Sequence, residues 1–197
     1  MKFKLFGTEI YISFFFAAVI TVMLATDRTG LLIPTLFAVI IHEIGHLFAM
    51  WLLECAPKRI KLIPASVQIT NSFSKKYDND IKIAICGPLV NLVLFAVLYI
   101  NYITFKNENV LNYALINLLV FFFNSLPVSG LDGGTVLYTL LLKKYDINKA
   151  ALTVKIITVV FGAALLFAAI VLTIKGRLNI SLYIIAVYLL IMSLIKM

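Results

Sequence analysis

With 197 residues, 62% of them hydrophobic and only 13% charged, and a mean hydropathy of +1.05, the chain is well above the ~45–50% apolar share of soluble domains. That excludes a soluble enzyme and leaves an integral membrane protein with no room for a large soluble domain. Two cysteines exclude a disulfide framework, and the +8 net charge is read as a determinant of membrane topology and not as a nucleic-acid surface.

Lys2 and Lys4 precede a first apolar run at 8–25. The start is similar to a signal peptide, but no small-residue cleavage pattern leads into a hydrophilic segment, so the run is read as a retained helix with Glu9 near the interface. Asp27-Arg28-Thr29-Gly30 makes a tight turn into the second run, 31–53, which contains His42-Glu43-Ile-Gly-His46. On a helix His42 and His46 share a face, where both imidazoles reach one ion, and Glu43 can act on a water at that ion. An ionisable group at bilayer depth costs roughly 2.5–3.5 kcal/mol. Three such groups in five residues need a metal or a function to offset them.

Residues 55–79 form the longest polar link. Lys58 to Pro64 and Ser66 to Thr70 alternate apolar and polar residues about a Pro64-Ala65 turn, which predicts a short β-hairpin-like element at 58–72. A third run, 80–103, carries Gly87-Pro88-Leu-Val-Asn91. The fourth, 110–142, is broken: Asn124-Ser-Leu-Pro127-Val-Ser-Gly130-Leu-Asp132-Gly133-Gly134 cannot continue a helix comfortably. Such a break at membrane depth is tolerated where it is buried in protein or lines a wet cavity. Runs at 151–174 and 179–196 complete an all-α polytopic fold of about six transmembrane helices, a single membrane-embedded domain over 1–197. With the N-terminus inside, thirteen of the 17 Lys and Arg residues fall on the cytoplasmic side. Only Arg28, Lys106, Lys175 and Arg177 fall outside, so both termini are expected in the cytoplasm. His42, His46 and Asp132 then share the cytoplasmic half of the bilayer.

A catalytic zinc takes three protein ligands and keeps one position open. Two histidines supply two, and Asp132 is the best-placed carboxylate for the third. His-Glu-x-x-His in one span with Asn-x-x-Pro-x-x-x-x-Asp-Gly in a later one resembles the site-2 protease family of intramembrane zinc proteases, and Gly87-Pro88-Leu-Val-Asn91 is similar to a Gly-Pro-x-x-Asn element of that family. The resemblance covers about 31–142, the expected catalytic core. It departs from the family at Pro64-Ala65-Ser66-Val67, at Gly130 and at Thr135. It implies one catalytic Zn²⁺ on His42, His46 and Asp132, with Glu43 as general base. It assigns Asn124 to the active-site region, as a partner for substrate backbone or oxyanion; the alternative is that Asn124 only satisfies the interrupted backbone. Gly87, Pro88 and Asn91 are expected to serve helix packing and a kink.

The implied partners are the lipid bilayer, a membrane-associated protein substrate and regulatory membrane proteins, with no nucleic acid. The absence of a PDZ-like insert brings the chain nearest the sporulation type, whose members release a transcription factor from a membrane-tethered precursor; the nucleotide-sensing domain often appended there is not expected. The implied location is a bacterial inner membrane. A zinc transporter should show several ligand clusters along a path, whereas both histidines lie in one turn. A non-catalytic scaffold would tend to lose Glu43 or Asp132, and a rhomboid-type protease would need a Gly-x-Ser-Gly motif. The topology predicts that tags after Met197 and within 71–79 are protected in intact cells while a tag at 105–109 is labelled from outside. External labelling at 71–79 would overturn the orientation.

Overall fold

The computed structural model describes residues 2–5, 8–12, 14–55, 57–63, 66–71 and 77–195. The expected Pro64-Ala65 turn, Lys75, Lys76 and Met197 fall outside them. The chain is mostly helical and forms two compact units, 1–122 and 123–197.

The first unit opens with strands β1 (Lys2–Leu5) and β2 (Thr8–Ile12), then helices α1 (Phe14–Thr26) and α2 (Leu32–Leu52). Strands β3 (Pro57–Ile63) and β4 (Ser66–Asn71) and helices α3 (Tyr77–Phe105) and α4 (Glu108–Ser125) follow. The sheet order is β1-β2-β3-β4. β2 runs parallel to β3 with Glu9 opposite Arg59, and β3 is antiparallel to β4. The N-terminal run therefore differs from the expected helix over 8–25. Thr8-Glu9-Ile10-Tyr11-Ile12 alternates with a period of two and is rich in β-formers, and α1 keeps 13 residues, about 20 Å of helix.

The turn into α2 is held by one carboxylate. Asp27 Oδ1 accepts from the Thr29 backbone N–H at 2.9 Å and the Thr29 hydroxyl at 2.7 Å, and Oδ2 accepts from the Leu32 N–H at 3.1 Å. The Thr29 hydroxyl bond is the main reason that the Asp27 pKa lies below the usual carboxylate value. Gly30 takes a φ of +69°, which a side chain would resist.

Helix α2 buries Ala38, His42, Gly45, His46, Ala49 and Met50, a stripe at helical spacing. Its opposite stripe, Phe37, Ile40, Ile44, Phe48 and Trp51, is exposed. Large apolar groups outward and imidazoles inward suit hydrocarbon, not water. Ala49 and Met50 pack with Ile83 of α3, flanked by Leu47 and Cys86. Among the described residues, α2, α3 and Ile147–Ile174 are long and apolar enough to cross a membrane.

The second unit contains the end of α4, then α5 (Asp132–Leu142), α6 (Ile147–Ile174) and α7 (Ile180–Ile195). Helix ends at Ser125 and resumes at Asp132, so the interruption, 126–131, is shorter than the expected 124–134: Asn124, Ser125, Asp132, Gly133 and Gly134 are helical. Part of the backbone at 126–131 is satisfied by local bonds. The Val128 N–H donates to the Leu126 carbonyl at 2.7 Å, and the Leu131 N–H donates to the Val128 carbonyl at 3.1 Å. Gly130 supplies the positive φ of +96° that this turn needs. Val128 and Leu131 are buried with Leu189 of α7. Thr158, fully buried on α6, accepts the Ser129 N–H on its hydroxyl at 2.8 Å and donates that hydroxyl to the Val154 carbonyl at 2.7 Å.

Thr158→Val keeps the shape and removes the acceptor, leaving a half-buried N–H without its partner. The expected cost is about 1–2 kcal/mol, read as earlier unfolding in a detergent titration. Faster hydrogen exchange at Ser129 should accompany it, and unchanged exchange there would refute the anchoring role.

Candidate metal centre

The α2–α3 contact builds the first part of the site. His42 and His46 are 4% and 6% exposed, which removes both rings from solvent and leaves protein groups to satisfy their polar edges. His46 Nδ1 lies 2.8 Å from the Ile83 carbonyl oxygen. A backbone carbonyl only accepts, so the His46 hydrogen sits on Nδ1 and the neutral ring keeps its lone pair on Nε2. His42 Nδ1 lies 2.8 Å from Asn91 Oδ1. The two Nε2 atoms approach to 3.2 Å, with the rings edge to face at 86°.

That separation suits a shared metal. Two nitrogens at ~2.0–2.1 Å from one tetrahedral zinc stand about 3.3 Å apart. The space in front of the rings is also kept open. Gly87 faces them across the helix contact, and a Cβ there would overlap His46 Nε2 and come within 2.9 Å of His42 Nε2. The helices approach closely at the same level, since a Cβ on Gly45 would lie 3.1 Å from Gly87 Cα. The pair thus fits a zinc ion by donor type, spacing and room. Glu43 is half-buried next to His42.

The other predicted site residues belong to the second unit. Asn124 is half-buried in the last turn of α4, and Asp132, also half-buried, opens α5. Leu131 before it is extended, with φ −108° and ψ 165°, so the chain enters α5 directly at the carboxylate. A negative charge in a first helical turn is favoured by the exposed N–H groups there. Gly133 and Gly134 sit where a Cβ would strike the Ser125 and Val128 carbonyls, respectively. The start of α5 is therefore tucked against the interrupted segment.

Asn91 extends the sequence reading. It was expected to serve helix packing and a kink; it is fully buried and, beyond that, bonds the His42 ring. The missed signal was its spacing. Asn91 is four residues from Gly87, one helical turn along the same face of α3. A polar amide on the face that meets the histidines points to a partner for one of them.

No protein-family model matches the chain. It is 29% identical over 162 residues to a zinc metalloprotease of Methanocaldococcus jannaschii, a match covering 75% of this chain and 47% of that protein. It is 28% identical over 131 residues to stage IV sporulation protein FB of Bacillus subtilis, covering 64% and 46%. The chain spans about half the length of the curated relatives it matches. Its fold is similar to the solved site-2 protease from Methanocaldococcus jannaschii, with a TM-score of 0.74, 24% identity and coverage of 98% of this chain and 93% of that one.

Gly87→Ala places a methyl group against the His46 ring while raising helix propensity by about 1 kcal/mol. The variant should fold and lose zinc during gel filtration. Zinc held by the variant as tightly as by wild type would show that the imidazole edges do not form the metal site.

Proposed function

We propose that this relative of the site-2 proteases is an intramembrane zinc metalloprotease, hydrolysing a peptide bond in or next to a membrane-associated segment of a protein substrate. The observation that carries the reading is the pair of buried Nε2 atoms 3.2 Å apart on a helix apolar enough to cross a membrane, with Glu43 beside them in sequence. His42, His46 and Asp132 hold one zinc ion in this reading. Support for Asp132 comes from its carboxylate chemistry, its glycine-rich setting and its place in the motif shared with site-2 proteases. Zinc, when bound, supplies a Lewis acid that polarises a carbonyl and lowers the pKa of a water to about 7.

Glu43 accepts the water proton as the water oxygen adds to the scissile carbonyl carbon. It then returns that proton to the amide nitrogen as the C–N bond breaks, so the carboxylate ends the cycle as it began. Asn124 donates an amide hydrogen to the substrate backbone or to the oxyanion that develops on the carbonyl oxygen. The terminal strand β4 offers main-chain groups to which an extended substrate can add.

The reading includes six crossings in one membrane-embedded domain, both termini in the cytoplasm and a bacterial inner membrane; the distribution of basic residues supports that topology. The substrate class is a membrane-tethered protein, such as the precursor of a transcription factor, with regulatory membrane proteins as further partners.

Purified wild type should hold one zinc and cleave a model single-span substrate, with chelation stopping the reaction and zinc restoring it. Glu43→Gln should keep the metal and slow cleavage by at least about 10²–10⁴-fold. Asp132→Asn should lose both. Wild-type turnover by Glu43→Gln would remove the base assignment. If Asp132→Asn holds zinc as tightly as wild type while His46→Ala loses it, Asp132 is not a ligand.

A further inference from the structure

His42 has two ways to sit beside His46. With its hydrogen on Nδ1, its Nε2 lone pair converges with that of His46. With its hydrogen on Nε2, it donates across the 3.2 Å gap to His46 Nε2, and the two rings close on each other. Which tautomer forms depends on whether Asn91 presents oxygen or nitrogen to His42 Nδ1.

The groups behind Asn91 decide this. Asn91 Nδ2 lies 3.0 Å from the Ala38 carbonyl oxygen and 2.9 Å from Asn117 Oδ1. Asn117 Nδ2 lies 2.9 Å from the Tyr113 carbonyl oxygen. Backbone carbonyls only accept, so each nearby amide must turn its nitrogen toward one. Both hydrogens of Asn91 Nδ2 are then used, one on Ala38 and one on Asn117, and its oxygen is left to face His42. Flipping both amides together would set oxygen against oxygen at Ala38 and again at Tyr113. Asn91 and Asn117 are 0% and 6% exposed, which leaves little opportunity for water to relieve those contacts.

We infer that the buried amides of Asn91 and Asn117 set the tautomer of His42, so that its Nε2 offers a lone pair to a metal instead of a hydrogen to His46. The inference deepens the zinc reading above and rests on it for its use, while the tautomer itself is measurable without metal. Asn117 is a positioning residue that acts through Asn91: it touches no ligand, and its oxygen, together with the Ala38 carbonyl, fixes the direction in which Asn91 points. Partners of metal-binding histidines are typically worth about 10–100-fold in metal affinity.

The chain has two histidines, so ¹⁵N-histidine labelling of the metal-free full chain in detergent gives two rings, assigned with His46→Gln. At a pH where both rings are neutral, His42 and His46 should each show a protonated Nδ1 and an unprotonated Nε2. Asn117→Leu leaves the Ala38 carbonyl alone to orient Asn91, so a measurable fraction of His42 should appear in the Nε2–H form while His46 stays in place. By chelator competition Asn91→Leu should bind zinc 10–100-fold more weakly than wild type. Asn117→Leu should also weaken binding in the wild-type background and add nothing in the Asn91→Leu background.

A His42 tautomer unchanged by Asn117→Leu overturns the inference, as do losses that simply add in the double variant. If Asn91→Leu does not fold, the tautomer in Asn117→Leu decides alone. Wild type that takes up no zinc yet shows Nδ1–H on His42 would remove the zinc reading and keep the tautomer assignment.

Discussion

The site depends on the hydrogen bonds that α3 makes to the two rings of α2. An imidazole at membrane depth has no water to satisfy it, so each Nδ1 must find a partner in the protein. The Ile83 carbonyl serves His46 and the Asn91 side chain serves His42, both at 2.8 Å. These bonds fix ring orientation as well as satisfying polarity, and orientation is what brings the Nε2 atoms to one point. Gly45 and Gly87 allow the helices the close approach that puts α3 within reach.

The second unit solves a different problem. A carboxylate in an apolar region needs a backbone able to leave helical geometry without stranding its own N–H and C=O groups. The segment 126–131 achieves this with short local turns, a glycine at positive φ and the Thr158 hydroxyl as acceptor for the Ser129 N–H. Val128 and Leu131 anchor the segment by packing with Leu189. Helix then restarts at Asp132 itself, which places the carboxylate on a rigid first turn instead of a loose loop.

Much of this was legible in the sequence, for identifiable reasons. The histidines were readable because charge in an apolar helix is costly enough to demand an explanation, and the spacing of four names the shared face. The break at 126–131 was readable because Pro127 and Gly130 are poor in helix interiors; its end was not, since Gly133 and Gly134 lie within α5, tucked against the interrupted segment. The N-terminal strand β2 was less so: its five residues are apolar enough to extend the following run, and its pairing with β3, some fifty residues later, is a long-range event that hydropathy does not record. The role of Asn91 was not readable because a single amide in a helix is ambiguous until the facing helix is known, and Asn117, seven residues before Asn124 and outside the motif that starts there, gave no local signal.

The apolar surroundings also explain why two neutral amides suffice to control an imidazole. In water an amide turned the wrong way re-forms its bonds with solvent, and the preference between orientations nearly vanishes. Between buried helices no such exchange is available, and an oxygen facing a carbonyl oxygen carries its full penalty. The orientation set at Tyr113 and Ala38 is thus transmitted through Asn117 and Asn91 to His42 with little loss. A charged partner such as aspartate could hold the ring more strongly, but it would add a further charge to a region where each is costly. Neutral amides give the ring a direction without that cost, and the charged groups remain those proposed to take part in the chemistry.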